Sequence, residues 1–127
     1  MARSLNVAVV DDDVAILDAI KMVLEEQGWR VAIYTDGNQF LNNLNQDSFD
    51  CVVLDPHLPD IKGVEIVRYI ENSTIDLPVV VLTARPYSPQ TIELKGTRVH
   101  DILTKPVSDI VLIESIKSSV CSSTCLS

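Results

Sequence analysis

Residues 50–60 read DCVVLDPHLPD, an apolar run that ends on a carboxylate followed directly by proline. Residues 7–13 have a similar arrangement, because the run VAVV leads into DDD. Short apolar runs without polar alternation are typical of parallel strands that are buried on both faces. An acidic residue at one strand end usually means only that the chain has reached water. Two acidic strand ends raise the question whether they form one site.

Short apolar strands and amphipathic helices alternate along the whole chain, which predicts an α/β fold with a parallel sheet covered on both faces. Residues after Val120 are expected to form a loose tail, so that residues 1–120 make one domain and residues 121–127 lie outside it. The predicted strands are Leu5–Val10, Arg30–Tyr34, Asp50–Leu54, Leu77–Leu82 and Val99–Leu103. The predicted helices are Val14–Glu26, a helix capped by Thr35 or Asp36, Val64–Glu71, a short helix Pro89–Lys95, and Asp109–Val120.

The composition argues against nucleic-acid-binding, membrane and secreted proteins. The length of 127 residues suits one domain, and the net charge of −8 without a basic stripe argues against direct nucleic-acid binding. No apolar run is long enough to span a membrane, and the N-terminus lacks the apolar length of a secretory signal. We therefore expect a cytoplasmic protein without membrane contact. Cys51 is expected in the core, and Cys121 and Cys125 are expected to have no metal-binding or disulfide role.

Polar groups follow four of the five predicted strands. The acidic run at residues 11–13 follows the first, Asp55 the third, Thr83 the fourth and Lys105 the fifth. Ligands of open α/β sheets bind at the carboxyl ends of the strands. Clustered carboxylates repel one another unless a proton or a hard cation such as Mg²⁺ joins them. With a nucleophilic carboxylate at Asp55, a hydroxyl at Thr83 and a cation at Lys105, this edge has the parts of a phosphoacceptor site.

Each of these groups also has a plain structural explanation. Asp13 is expected to cap the first helix, and an isolated acidic run often does no more than that. A threonine after a strand and a Lys-Pro turn are both common. The four groups together, in order and at matching strand ends, favour a single site.

Four blocks carry a resemblance to a known family. VVDDD, LDPHLPDIKG, VVVLTA and LTKP resemble the conserved blocks of the response-regulator receiver domains of two-component signalling, and the similarity extends over residues 5–120. The resemblance implies a flavodoxin-like, doubly wound (βα)5 fold with a five-stranded parallel sheet in the order 2-1-3-4-5. It also implies a cis Lys105–Pro106 peptide bond and a phosphoryl group supplied by a sensor histidine kinase or a phosphotransfer protein.

The resemblance further implies roles for individual residues. Asp55 would be the phosphorylated residue, Thr83 would hydrogen-bond the phosphoryl group, and Lys105 would pair with it. Mg²⁺ would be the cofactor. Its ligands would be Asp11, Asp12, Asp55 and the backbone carbonyl of His57.

Some positions depart from the family pattern. Pro56 removes a backbone N–H beside Asp55, and Ile102 stands where receivers commonly carry Tyr or Phe. The segment between Thr83 and Val99 contains two prolines and a glycine, which predicts a short or displaced fourth helix and an atypical output surface. His57 and Arg85 each lie two residues past a site residue, and we hypothesise that Arg85 shields the phosphoryl group from water.

Two alternative functions remain open at this stage. A pseudo-receiver would keep the fold and act as a protein-interaction module without phosphorylation, as the departures at Pro56 and Ile102 suggest. A Mg²⁺-dependent phosphatase of the haloacid dehalogenase type is disfavoured, because only the isolated acids Asp109 and Glu114 follow Lys105. The downstream partner, or a fused output domain, is not identified by the sequence.

Overall fold

The computed structural model describes residues 4–125, and residues 122–125 by their backbone alone. Five strands alternate with five helices. The strands are β1 (Asn6–Val10), β2 (Arg30–Tyr34), β3 (Cys51–Leu54), β4 (Val79–Thr83) and β5 (Asp101–Thr104). The helices are α1 (Val14–Glu25), α2 (Gly37–Asn43), α3 (Gly63–Glu71), α4 (Pro89–Leu94) and α5 (Asp109–Cys125).

All five strands are parallel and lie in the order β2-β1-β3-β4-β5. The predicted flavodoxin-like fold and strand order are therefore confirmed. Because strand order reverses beside β1, the carboxyl ends of β1 and β3 lie at the position where ligands of such sheets bind. In the register of these two strands Val10 lies opposite Leu54, so that the residues that follow leave the sheet at the same level.

The sheet is buried on both faces, as its apolar strands predict. On one face Phe40, Ile66 and Leu94 of α2, α3 and α4 pack in one core cluster. On the other face Leu17 of α1 and Ile116 of α5 belong to a second cluster. The central strands contribute alternate residues to the two clusters, which fixes their register because a shift of one residue would exchange the faces.

Acidic side chains cap the N-terminal ends of α1 and α2. The Asp13 carboxylate accepts the N–H groups of Ala15 and Ile16, and the Asp36 carboxylate accepts the N–H of Gln39 at 2.7 Å. Both acids satisfy helix N–H groups that have no partner within the helix. The chain leaves α1 through Gly28, whose φ of +84° lies in the left-handed region that favours glycine.

The bounds of three elements differ from the prediction by two residues or more. β4 begins at Val79 and β5 at Asp101, each two residues later than predicted. Helix α5 continues to Cys125, so the loose tail expected from residue 121 is wrong for residues 121–125, and residues 126–127 lie outside the described residues. No glycine or proline interrupts CSSTC, so the helical ladder continues. The division into a 1–120 domain and a tail otherwise stays a prediction.

The short fourth helix is confirmed, because α4 contains six residues. Ser88 caps it and Pro89 occupies its first turn, an arrangement typical of helix starts. Within residues 4–125 no helix is both long and apolar enough to cross a membrane.

Candidate phosphoacceptor site

Backbone hydrogen bonds align the strand ends that carry the predicted site residues. The N–H of Asp11 donates to Tyr34 at 3.1 Å, and the N–H of Asp55 donates to Val10 at 2.9 Å. The N–H of Lys105 donates to the carbonyl of Thr83 at 2.8 Å. These bonds extend the sheet ladder, so the polar groups at the carboxyl ends of β1, β3, β4 and β5 lie along one edge.

Three carboxylates lie together at this edge. Each of Asp11, Asp12 and Asp55 offers a carboxylate oxygen within 4.8 Å of the other two. Asp11 and Asp55 are buried, with 3% and 8% of their surface exposed, whereas Asp12 is exposed. The cluster is thus open to solvent on the side of Asp12.

The Lys105 ammonium lies between the two buried carboxylates. Its Nζ is 2.7 Å from Asp11 Oδ2 and 3.1 Å from Asp55 Oδ2. Burial alone would lower the pKa of Lys105, but the Asp11 hydrogen bond and the Asp55 charge raise it above its usual value. The pKa of Asp11 is also raised, mainly by burial, although Lys105 opposes the shift. One ammonium therefore compensates two carboxylates incompletely.

The second oxygen of Asp55 is held by the turn that follows β3. The N–H of His57 donates to Asp55 Oδ1 at 2.8 Å. Pro56 has no N–H, and its carbonyl accepts the N–H of Gly63 at 3.1 Å. Gly63 permits this approach, because a Cβ there would lie 2.6 Å from the Cα of Pro56. The amide that reaches the carboxylate is therefore the one after the proline.

Asp60, which sequence reasoning missed, connects the loop after β3 to the start of α2. Its two carboxylate oxygens accept the N–H groups of Gly37 at 3.1 Å and Asn38 at 2.8 Å. Slight burial acts to raise the pKa of Asp60, but these backbone hydrogen bonds prevail and lower it. Its spacing of 23 residues from Gly37 gave no local signal.

Thr83 is fully buried at the end of β4. Its Oγ1 accepts the N–H of Arg85 at 2.9 Å and lies 3.5 Å from Nδ1 of His57. Arg85 contacts the site through this backbone bond, while its side chain is exposed. The proposed shielding role of Arg85 therefore stays a prediction.

The His57 imidazole connects the site to α4. Its Nδ1 lies 3.7 Å from Asp55 Oδ1, and its Nε2 lies 2.8 Å from the Ser88 hydroxyl. Ser88 and Thr91 were missed by sequence reasoning, although a Ser-Pro pair is a recognisable helix start. Ile102, at the position where receivers commonly carry an aromatic residue, is partly buried and packs against the core cluster of that face.

The geometry suits a hard divalent cation. Carboxylate oxygens are the ligands that Mg²⁺ prefers, and Mg²⁺ commonly keeps several waters, which the exposed side at Asp12 can admit. The incomplete compensation of Asp11 and Asp55 by Lys105 favours a further positive charge. The Lys105–Pro106 peptide bond is cis, as expected.

Comparison with known sequences supports the same family. A sequence profile described as the response regulator receiver domain matches residues 7–117. The transcriptional regulatory protein FixJ of Bradyrhizobium diazoefficiens is 30% identical over 91% of this chain and 56% of FixJ. The phosphate regulon transcriptional regulatory protein PhoB of Escherichia coli K12 is 33% identical over 93% of this chain and 52% of PhoB. The chain thus spans about half the length of these curated relatives.

Solved structures agree on the fold. A CheY-like receiver domain protein from Methanospirillum hungatei JF-1 superposes with a TM-score of 0.91 at 24% identity, covering 98% of this chain and all of that chain. The receiver domain of the sensor histidine kinase PA1611 from Pseudomonas aeruginosa PAO1 gives a TM-score of 0.85 at 22% identity, covering 93% of this chain and 98% of that one. Given the strand order, the acidic strand ends and the profile match, the chain belongs to the response regulator receiver domain family, whose members are signalling domains of two-component systems.

Proposed function

We propose that this chain is a phosphorylation-controlled switch that accepts a phosphoryl group on Asp55 in a Mg²⁺-dependent reaction. The observation that carries the proposal is the placement of the Asp55 carboxylate within 4.8 Å of Asp11 and Asp12 and 3.1 Å from Lys105 Nζ. Lys105 is hydrogen-bonded to Asp11 and Asp55, so the three carboxylates keep an excess of negative charge that a bound cation would relieve.

In this proposal Asp11, Asp12 and Asp55 hold Mg²⁺ by carboxylate oxygens, and the His57 backbone carbonyl completes the protein ligands. The structure of the PA1611 receiver domain was solved with magnesium coordinated in its active site cleft. When bound, the cation neutralises negative charge on the carboxylates and on the incoming phosphoryl oxygens. Lys105 would supply a second positive charge, 3.1 Å from Asp55 Oδ2.

The reaction is a phosphoryl transfer from a phosphohistidine of a sensor kinase or a phosphotransfer protein. An oxygen of Asp55 attacks the phosphorus, a P–O bond forms, and the P–N bond of the donor breaks. The bonding electrons leave with the donor imidazole, which takes up a proton. Lys105 then pairs with a phosphoryl oxygen, and Thr83 donates its hydroxyl hydrogen to another. Attack by water on the phosphorus later releases inorganic phosphate and regenerates the Asp55 carboxylate.

Phosphorylation would act on partners by changing the surface around α4 and β5. The relatives FixJ and PhoB are named as transcriptional regulatory proteins and are about twice the length of the matched region. By analogy, a fused output domain or a separate protein would read this surface, and the chain itself would make no contact with nucleic acid or membrane. We expect the reaction in the cytoplasm, where the donor kinases are phosphorylated by ATP.

A second candidate is a pseudo-receiver that binds partners without phosphorylation. Two observations favour it: the aliphatic Ile102 in place of an aromatic switch residue, and Pro56 directly after the acceptor. The contact of the His57 N–H with Asp55 at 2.8 Å weighs against it, because a backbone donor beside the carboxylate is retained despite the proline.

Intact-mass measurement after incubation with acetyl phosphate separates the two candidates. We expect a gain of one phosphoryl group in the wild type that requires Mg²⁺, and no gain in Asp55→Asn. The matched control Asp18→Asn, on the exposed surface of α1, should gain the group like the wild type. Absence of a gain in the folded wild type would contradict the proposal and favour the pseudo-receiver. A gain that persists in Asp55→Asn would contradict the assignment of Asp55, because another residue would then accept the group.

A further inference from the structure

The imidazole of His57 joins the phosphoacceptor edge to the first turn of α4. On one side Nδ1 faces Thr83 Oγ1 at 3.5 Å and Asp55 Oδ1 at 3.7 Å. On the other side Nε2 lies 2.8 Å from Ser88 Oγ, the atom that caps α4 by accepting the N–H of Thr91. A single side chain therefore touches the acceptor, the threonine of β4 and the cap of α4.

The direction of each hydrogen bond follows from what its partners can do. The carbonyl of Arg85 can only accept, so the Thr91 hydroxyl donates to it at 2.8 Å. Thr91 Oγ1 must then accept the hydroxyl hydrogen of Ser88 at 3.0 Å. Because the hydrogen of Ser88 is used, Ser88 Oγ accepts from Nε2–H of His57. The network thereby assigns the Nε2–H tautomer to a neutral His57.

The same reasoning fixes the other half of the network. With its hydrogen on Nε2, the neutral ring presents a lone pair at Nδ1, which faces the hydroxyl of Thr83. Thr83 Oγ1 in turn accepts the N–H of Arg85 at 2.9 Å. The hydrogen bonds thus run from the N–H of Arg85 through Thr83, His57, Ser88 and Thr91 back to the carbonyl of Arg85. We call this closed chain the His57 ring.

The His57 ring matters for α4 because its side chains are largely buried. Thr83 and Thr91 are fully buried, and the His57 side chain is 17% exposed, so water offers few alternative partners to these hydroxyls. Helix α4 has six residues, too few to be stable without its cap and its packing. The longest link of the ring is Thr83–His57 at 3.5 Å, which makes it the weakest.

We propose that His57 is a positioning residue that couples phosphorylation of Asp55 to the first turn of α4. The coupling occurs because phosphorylation breaks the closed chain of hydrogen bonds that forms the His57 ring. This inference rests on the proposed function. A phosphoryl group on Asp55 recruits the Thr83 hydroxyl, and the ring opens at its longest link. A neutral imidazole has one N–H, which serves either Ser88 or a phosphoryl oxygen but not both. When His57 turns its N–H to the phosphoryl group, Ser88 loses the hydrogen bond from Nε2–H that helps to hold its hydroxyl at the start of α4.

The His57 ring gives this chain a route from site to surface that does not depend on an aromatic residue at position 102. The readout is a rearranged β4–α4 loop and α4 cap rather than a side-chain rotation in β5. Exposed Tyr87 and Ile92 lie on that loop and helix, so the surface presented to a partner changes with the cap.

Amide hydrogen exchange of Thr91, measured by NMR, tests the coupling directly, since this N–H is held by Ser88. In the unphosphorylated protein we expect His57→Ala to increase the exchange rate about fivefold, the effect of losing a helix cap interaction. His57→Gln should restore part of the protection, because its amide can donate to Ser88. The matched control is His100→Ala, since His100 also contacts a serine hydroxyl, Ser118, at 3.2 Å but lies outside the ring. It should leave Thr91 unchanged.

Phosphorylation supplies the second arm of the test. With the mass gain verified in the same sample, Thr91 exchange in the wild type should rise to the level of His57→Ala, and the variant should show no further rise. Equal Thr91 exchange in wild type and His57→Ala before phosphorylation would overturn the inference, as would unchanged exchange in a phosphorylated wild type. Absence of a mass gain would instead refute the proposed function, and the coupling with it.

Discussion

Substitution of Gly63 by alanine tests how tightly the loop after Asp55 is packed. An added Cβ would lie 2.6 Å from Pro56 Cα and 3.0 Å from Pro56 Cβ. Carbon atoms prefer separations of about 3.5 Å, so the overlap with Cα is about 0.9 Å. The obstructing atoms belong to a proline backbone whose φ is fixed, so they cannot move aside as a flexible side chain would.

The expected loss of stability follows from two opposing contributions. Overpacking of this kind costs up to about 3 kcal/mol. Alanine gains at most about 1 kcal/mol over glycine in a helix, and Gly63 is the first residue of α3. We therefore expect Gly63→Ala to lower the free energy of unfolding by about 2 kcal/mol, with a fall in Tm of about 8 °C for a domain of this size.

Urea unfolding, followed by the fluorescence of the buried Trp29, measures this change. The matched control is Gly96→Ala, where the nearest atom to an added Cβ is 3.7 Å away, an ordinary contact. The control should change stability by less than about 0.5 kcal/mol. Because Pro56 follows Asp55 directly, Gly63→Ala should also slow phosphorylation from acetyl phosphate. Equal urea midpoints for the two variants would refute the reasoning.

Lys105, Asp60 and Arg85 can each be tested by a single substitution. Lys105→Met should destabilise the Mg²⁺-free protein by about 3 kcal/mol in urea unfolding, because two buried carboxylates lose their shared cation, whereas exposed Lys95→Met should not. Asp60→Ala should cost about 1 kcal/mol at pH 7, the value of a helix cap, and exposed Asp47→Ala much less. The pKa of Asp60 is lowered in the folded state. Its contribution to the free energy of unfolding is therefore present above about pH 4 and is lost as the pH falls through and below that value. A stability difference between Asp60→Ala and the wild type that stayed constant in urea unfolding across pH 3–7 would contradict this. Arg85→Ala should shorten the phosphorylated lifetime severalfold if the side chain shields the acyl phosphate, and an unchanged decay rate would exclude that role.

Most of the fold could be predicted from the sequence, because its strands are short apolar runs between amphipathic helices. The helix starts at Asp13 and Asp36 were predictable from local capping chemistry. The end of α5 was not, since serine and cysteine neither favour nor stop a helix, and the loose tail expected from residue 121 was an argument from composition. The strand order came from the family resemblance rather than from the periodicity of the chain.

The core of the candidate site was also predictable, since the carboxyl ends of parallel strands share an edge. Asp11, Asp55, Thr83 and Lys105 come together for that reason alone. The contacts of the His57 imidazole were not predictable. They depend on the path of the loop between Thr83 and α4 and on side-chain directions that no local pattern specifies.

Pro56 was expected to deprive the acceptor of a backbone donor. The structure shows that the N–H of His57 reaches Asp55 instead, at 2.8 Å. A slower or shorter-lived phosphorylation caused by Pro56 stays a prediction, and replacement of Pro56 by a residue with an N–H would test it.

Chemical trapping of the acyl phosphate tests whether Asp55 itself carries the phosphoryl group. Borohydride reduces an aspartyl phosphate to homoserine, which peptide mass spectrometry locates in the chain. After treatment with acetyl phosphate and Mg²⁺, we expect homoserine at position 55 and at no other acid. Homoserine at Asp11 or Asp12, or a phosphorylated protein that yields none, would contradict it.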